Sequence, residues 1–311
     1  MDLNLATLAR HFSDESEAWK LIETIRWPNG PICPHCGHTE KHYFLKPKSG
    51  HRTTKAGNHS YRRVWKCASC RKQFSVLVGS IFEGTKIPIS KWLLAIHMMC
   101  SGKNGVAAHE LHRQLGITYK SAWFLAHRIR YAMARSPLAD RLTGTIEADE
   151  AYLGGRGKRR GRPGADSPKT PVFSLVQRDG EVRSTVVANV TGATLGQILK
   201  ENVDPSATLH TDEYAVYKQP GRGFAAHQTV THKKGEYVRG DVTTNRVEGY
   251  FSQLKRSIDG THHRVSREHL HRYLSEFDFR YNTRKVTDGE RTTRMIQQSA
   301  GKRLTYERPN G

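Results

Sequence analysis

Three carboxylates have the residue types for divalent-metal chemistry: Asp149, Asp212 and Glu248. Lys255 follows the last of them by seven residues. Hard cations such as Mg²⁺ take oxygen ligands, and carboxylates supply them. Phosphodiester cleavage needs an activated water or hydroxyl and a stabilised leaving oxygen. Two ions roughly 4 Å apart supply both. The acids must then converge from distant segments. The competing reading is three ordinary surface charges.

Four cysteines suggest a second kind of metal. Cys33-Pro34-His35-Cys36 is answered by Cys67-Ala68-Ser69-Cys70. Zinc prefers four tetrahedral ligands and is well served by thiolates. Two Cys-x-x-Cys turns fill all four positions, so the spacing predicts one closed, structural Zn²⁺ site with no catalytic role. Trp65 and Phe74 flank the second turn and could cover it. His35 and His38 are read as surface residues, and Cys100, in an apolar helical stretch, as core packing.

These residues need elements to hold them. Thr145–Glu150 reads as a strand, with Glu147 and Asp149 on one face and Ile146 and Ala148 on the other. Val172–Val176 and Val182–Ala188 read as the next two strands, and Ala193–Val203 as a helix. Thr208–Asp212 is a fourth strand ending in an acid, Tyr214 and Tyr217 follow on a short helix, and Gln228–His232 is a candidate fifth strand. A helix then runs from about Asn245 to Ile258. Val247, Phe251, Leu254 and Ile258 form its core stripe, and Asn245, Glu248, Ser252 and Lys255 a neighbouring stripe toward a cleft. The order is three strands, helix, strand, helix, strand, helix. It predicts an α/β, ribonuclease-H-like catalytic domain that brings the three acids together.

Upstream, Asp14 is a candidate N-cap for an amphipathic helix carrying Trp19, Leu21, Ile22 and Ile25. Tyr61–Trp65 and Phe74–Val78 look like β segments around the cysteines. Residues 86–135 read as helical. Val106–Leu115, a turn at Gly116, Thr118 as a cap and Tyr119–Ala132 follow the helix-turn-helix pattern. Ala122, Leu125, Ala126 and Ile129 would pack inward, leaving Tyr119, Lys120, Arg128 and Arg130 for DNA. Ser266–Tyr281 reads as another helix, and the residues after 285 as a polar, basic tail. The expected division is 1–85 (N-terminal helix and zinc ribbon), 86–138 (helix-turn-helix), 139–290 (catalytic domain) and 291–311 (basic tail).

Charge points to the partner. Lys and Arg number 50 against 29 Asp and Glu, a net +21 with a pI near 10. Such a chain attracts polyanions and binds them by counterion release. The basic, glycine-rich stretch Gly154–Gly164, with Lys158, Arg159 and Arg160, is an expected backbone-binding loop. No stretch reaches the roughly 18 apolar residues of a membrane span, and Met1–Arg10 lacks a signal-peptide pattern. The expected setting is the bacterial cytoplasm, in association with the nucleoid. There, reduced cysteines serve metal and not disulfides.

At these residues the chain resembles DDE-type insertion-sequence transposases of the ISXO-like group, with an N-terminal zinc ribbon. The matching pieces are Cys33–Gly37, Gly79–Thr85, Glu147–Gly155, Thr211–Tyr214, Asn245–Arg256 and Phe277–Asn282. They span roughly residues 15–285. The 35 residues between Asp212 and Glu248 are a frequent separation in such enzymes. The resemblance implies catalytic acids at Asp149 and Asp212 and a helix carrying the third member. Some relatives have asparagine there, which makes Asn245 a rival to Glu248. A carboxylate binds Mg²⁺ better than an amide, and Lys255 lies two turns on; both favour Glu248. The family often has Thr where this chain has Ala151.

The resulting expectation is an enzyme that binds the inverted repeats of its element, cleaves DNA and transfers strands. Two Mg²⁺ (or Mn²⁺) ions per site would sit on Asp149, Asp212 and Glu248. Lys255 and Arg256 would hold phosphate. Two ends must be cut together, so a homodimer or larger assembly on element-end and target DNA is expected. A regulator without chemistry and a nuclease that cuts without joining are the alternatives.

Overall fold

The computed structural model describes residues 6–7, 13–47, 51–134, 140–154 and 169–305. Lys158, Arg159 and Arg160 lie outside the described residues. The chain divides into two compact units.

The first unit spans Met1–Gly102, Val106–Met133 and Val286–Gly311. Helix α1 (Glu15–Arg26) starts at Asp14, whose side chain accepts the Ser16 N–H. Its buried face is Ala18, Trp19, Leu21, Ile22 and Ile25. A three-stranded antiparallel sheet follows, built from β1 (His42–Phe44), β4 (Trp65–Cys67) and β5 (Gln73–Phe74). Between β1 and β4 comes a small hairpin of β2 (Arg52–Thr53) and β3 (His59–Ser60). The β segments are shorter than the sequence suggests. Residues 61–64 lie between strands, and Val76–Gly79 turn away after β5.

Buried Glu23 docks α1 on this sheet. Its oxygens accept Trp65 Nε1 at 2.9 Å and Arg63 Nε at 2.6 Å. Trp27, Trp65, Phe44 and Phe74 then pack edge to face. Helices α2 (Ile89–Ser101), α3 (Ala108–Leu115) and α4 (Tyr119–Met133) complete the chain order here. Cys100 is fully buried on α2. The stretch read as a tail holds another helix, α9 (Asp288–Gln298). It buries Met295 and Ile296 and contacts α1, α2 and α4. Its Thr292 Oγ1 lies 3.2 Å from His97 Nδ1, and Arg291 donates to the Cys100 carbonyl at 2.6 Å.

The second unit spans Lys103–Gly105 and Ala134–Lys285. Strands β6 (Thr145–Leu153), β7 (Thr170–Gln177) and β8 (Val182–Val186) form an antiparallel meander. Strands β9 (Thr208–Thr211) and β10 (Ala226–Thr229) add in parallel beside β6. The order across the five-stranded sheet is β10-β9-β6-β7-β8. Helix α5 (Gly192–Asn202), with Tyr217 just before the one-turn α6 (Lys218–Gly221), covers one face against Ile146, Ala148 and Phe173. Helices α7 (Asn245–Ser257) and α8 (Arg267–Asn282) cover the other against Ala151, Val172 and Val176. A ribbon of β11 (Val238–Arg239) and β12 (Val242–Thr243) leads into α7.

The edge strand β8 is capped by α8. Asn282 accepts the Val182 N–H at 2.7 Å and donates to its carbonyl at 3.0 Å. Asp278 accepts the Ser184 N–H, the Ser184 hydroxyl and the Tyr250 hydroxyl. One helix thus satisfies backbone groups that a free edge would leave open to another strand. This explains Asp278 and Asn282 in the Phe277–Asn282 segment as packing residues.

Candidate functional site

Strand alternation sets the face on which the acids stand. Glu147 pairs with His210 where β6 runs beside β9. Asp149 lies two residues further along β6, on the face covered by α7, and Asp212 lies just past the end of β9, near enough for its charge to act on Asp149. Glu248 joins them from the first turn of α7. Burial first, then the charges of Glu150, Asp212 and Glu248, push the Asp149 carboxyl up to about 7. Among the described residues neither Asp149 nor Asp212 makes an ion pair. Neighbouring acids without a counter-charge favour the protonated form of the buried one.

Each acid is held by local bonds. Asp212 Oδ1 accepts the Tyr214 N–H at 2.9 Å, and Asp149 Oδ1 the Glu150 N–H at 2.8 Å. Glu248 Oε1 accepts the Thr244 hydroxyl at 2.7 Å and lies 3.6 Å from His232 Nε2. Asn245, the rival third member, is the exposed first residue of α7. Its N–H is bonded to Thr243 Oγ1. Lys255 and Arg256 are exposed two turns further along the helix.

Glu147 has a different task from Asp149. It is fully buried, and its oxygens are occupied. Oε1 accepts Arg178 Nε at 3.2 Å, and Oε2 accepts the N–H groups of Arg246 and Val247 at 2.8 and 3.3 Å. Those two N–H groups are among the four that a helix start leaves open, and the helix dipole favours an anion there. Arg178 also reaches the Asp241 carbonyl at 2.6 Å and His210 Nδ1 at 3.3 Å. This network ties β6, β9 and β12 to the start of the helix that carries Glu248.

Glu150 points to the opposite face. The buried Tyr217 hydroxyl donates to its Oε2. Burial pushes the Glu150 carboxyl up, and burial with the nearby carboxylates pushes the Tyr217 phenol well above its ordinary value.

The four cysteines converge in the first unit. Cys33 and Cys70 sulfurs are 3.6 Å apart, Cys36 and Cys67 sulfurs 3.7 Å, and all four lie within 4.8 Å of one another. A tetrahedron of ~2.3 Å Zn–S bonds has edges of about 3.8 Å, so the set fits Zn²⁺. Both turns share one build. Gly37 and Arg71 follow the second cysteine of each pair with left-handed backbone, φ +75° and +63°. Cys33 and Cys67 each donate a backbone N–H to a carbonyl five residues on, at His38 and Lys72. Arg71 in this conformation costs more than glycine would, which shows how firmly the turn is imposed.

The helical pair α3–α4 turns through Gly116 at φ +57°, and Thr118 Oγ1 caps α4 by accepting the Ser121 N–H. Tyr119 and Lys120 are exposed, and the Tyr119 ring stacks on His109 at 4.2 Å. Arg128 is not placed for DNA as expected. It is only 6 % exposed, donates to the Glu83 carbonyl at 2.6 Å and lies against the Trp92 and Phe124 rings. Arg130 is buried too. Their long stems fill the inner face of α4, which pattern alone assigned to Ala122, Leu125, Ala126 and Ile129.

The sequence reading missed Glu147, Arg178, His232 and Thr244 around the acids. Glu147 was visible on the Asp149 face, but its partners lie 31 and 99 residues away.

Comparison with known proteins agrees with this layout. Residues 141–282 match the ISXO2-like transposase domain, and residues 13–73 the transposase zinc-ribbon domain. A protein of the transposable element ISH50 from Halobacterium salinarum is 27 % identical over 286 residues, covering 86 % of this chain and 91 % of that protein. A transposase-like protein from Haemophilus influenzae is 26 % identical over 106 residues, 34 % of this chain and 85 % of its own length. No solved structure is matched. The chain thus carries a transposase zinc-ribbon domain ahead of an ISXO2-like transposase domain.

Proposed function

We propose that this transposase cleaves DNA at the ends of its element and joins the freed 3′ ends to target DNA, using Asp149, Asp212 and Glu248 as a metal-binding trio. The observation that carries the reading is the Asp149 carboxyl. Burial, then the charges of Glu150, Asp212 and Glu248, push it upward. The strand order β8-β7-β6-β9-β10 supports a ribonuclease-H-like domain. Two Mg²⁺ or Mn²⁺ ions, held by the trio, would supply an activated water or hydroxyl and a stabilised leaving oxygen.

The chain's own residues do the rest. Glu147 and Arg178 hold the start of α7, so Glu248 faces Asp149 without a loop to reorder. Thr244 orients the Glu248 carboxylate. Lys255 and Arg256 hold phosphate. The zinc ribbon and α3–α4, read as a helix-turn-helix, recognise the inverted repeats through Tyr119 and Lys120. A homodimer or larger assembly brings two ends together.

The test is Mg²⁺-dependent cleavage of DNA bearing the element ends. Asp149→Asn should lose activity by several orders of magnitude while retaining DNA binding. Wild-type binding without cleavage in any divalent metal would favour a regulator instead. Cleavage without joining would favour a nuclease.

A further inference from the structure

Two members of the trio have an exposed tyrosine close by. Tyr214 follows Asp212 by two residues, its N–H bonded to that carboxylate, and is 46 % exposed. Tyr237 is 55 % exposed, with its ring 4.9 Å from His232, the histidine beside Glu248. Val238 stands open next to Tyr237. An aromatic ring half in water forgoes much of its burial free energy, and several together mark a surface made for a partner.

The charge around them selects that partner. Lys233, Lys234, Arg239 and Arg246 are exposed on the segments that carry Tyr237 and start α7, against exposed Asp241, Asp179 paired with Arg246 at 3.1 Å, and the partly buried Glu236. Cations that track phosphate, interleaved with rings that accept a base face, are the recurring design for unpaired nucleic acid. Inside a duplex those faces are already stacked on neighbours, so an opened end offers the rings more of them than a blunt one does. The Tyr237 ribbon is also anchored in advance. Asp241 in its turn pairs with Arg178 at 2.8 Å, and Arg239 donates to the Thr229 carbonyl at 2.9 Å.

We infer that Tyr214 and Tyr237 form a stacking platform for unpaired bases at the DNA end held in the acid site. The inference rests on the cleavage reading above and adds to it the form of the substrate: an end opened by a few bases, not a closed duplex.

The test uses the full-length protein with Ca²⁺ in place of Mg²⁺, and fluorescence anisotropy. One labelled DNA end is blunt; the other has the same sequence with three unpaired nucleotides. Wild type should bind the opened end about ten-fold tighter, since one stacked base is worth roughly 5- to 150-fold. Tyr214→Ala and Tyr237→Ala should each lose most of that gain and keep blunt-end affinity. The Phe variants should retain it. No gain in wild type, an equal loss on both DNAs, or a loss in the Phe variants would overturn the platform. So would a gain that survives in both Ala variants while their subunit association falls, which would make the surface a protein contact. A ring-dependent gain in a protein that never cleaves would overturn only the cleavage reading; cleavage without the gain would overturn only the platform.

Discussion

Glu147 Oε2 accepts the backbone N–H of Arg246 at 2.8 Å, from a side chain with no exposure to solvent. A carboxylate two residues from Asp149 is thus withdrawn from metal binding and spent on the helix that presents Glu248. Glu147→Ala leaves Arg178 and two helix N–H groups without their acceptor. The expected loss is roughly 3 kcal/mol, the scale of a broken buried pair. Urea unfolding of the zinc-loaded protein, without added Mg²⁺ or Mn²⁺, measures it. Mn²⁺ affinity should fall as well, because Glu248 is no longer fixed. A loss under ~1 kcal/mol with unchanged Mn²⁺ affinity would remove the clamp from the account.

Asp149 makes the protein without Mg²⁺ or Mn²⁺ sensitive to pH. Its folded value, about 7, lies above the ordinary 3.8. The fold therefore favours the protonated acid. The stability this contributes is complete below about pH 4 and is lost as pH rises through about 7. Asp149→Asn mimics the protonated form. At pH 8, with the ribbon zinc retained and no Mg²⁺ or Mn²⁺ added, the variant should melt roughly 2–4 °C above wild type, the shift for ~1 kcal/mol. Near pH 4 the difference should vanish. A variant less stable than wild type at pH 8 would contradict the burial of an uncompensated charge.

The ribbon depends on its zinc. Cys67 is fully buried and Cys36 exposed, yet both complete the same tetrahedron. Cys67→Ser and Cys36→Ser should each lose the bound zinc and unfold the small β1-β4-β5 sheet, since structural zinc contributes on the order of 10 kcal/mol to such modules. Elemental analysis and tryptophan fluorescence, which reports Trp27 and Trp65, check this. Retained zinc in either variant would refute the four-cysteine site.

Arg128 and Lys120 should behave in opposite ways. Arg128→Met removes a buried bond to Glu83 and should lower stability while leaving DNA affinity alone. Lys120→Ala should weaken DNA binding, with the salt slope reduced by roughly 1. Equal loss of DNA affinity in both variants would return Arg128 to the DNA-facing set.

Much of this was readable from residue patterns, for definite reasons. Alternation placed Glu147 and Asp149 on one face of β6, and the Val247, Phe251, Leu254 stripe oriented α7, because both signals are local. The cysteine spacing defined the ribbon because two short turns suffice for four ligands. Long-range use of a side chain was not readable. Nothing near Glu147 marks Arg178 and Arg246 as its partners. The helix Asp288–Gln298 has only Met295 and Ile296 as buried large apolar residues, adjacent and without a stripe, so it read as tail. Arg128 carries a charge, and pattern assigns charges to solvent, although its stem packs among rings.

The most direct test of the central claim is Mg²⁺-dependent cleavage and strand transfer on DNA carrying the element ends. It compares wild type with Asp149→Asn, Glu248→Gln and Asn245→Ala. Joined products are expected from wild type and Asn245→Ala, and none from the other two. Products from Glu248→Gln with none from Asn245→Ala would contradict the trio and move its third member to Asn245.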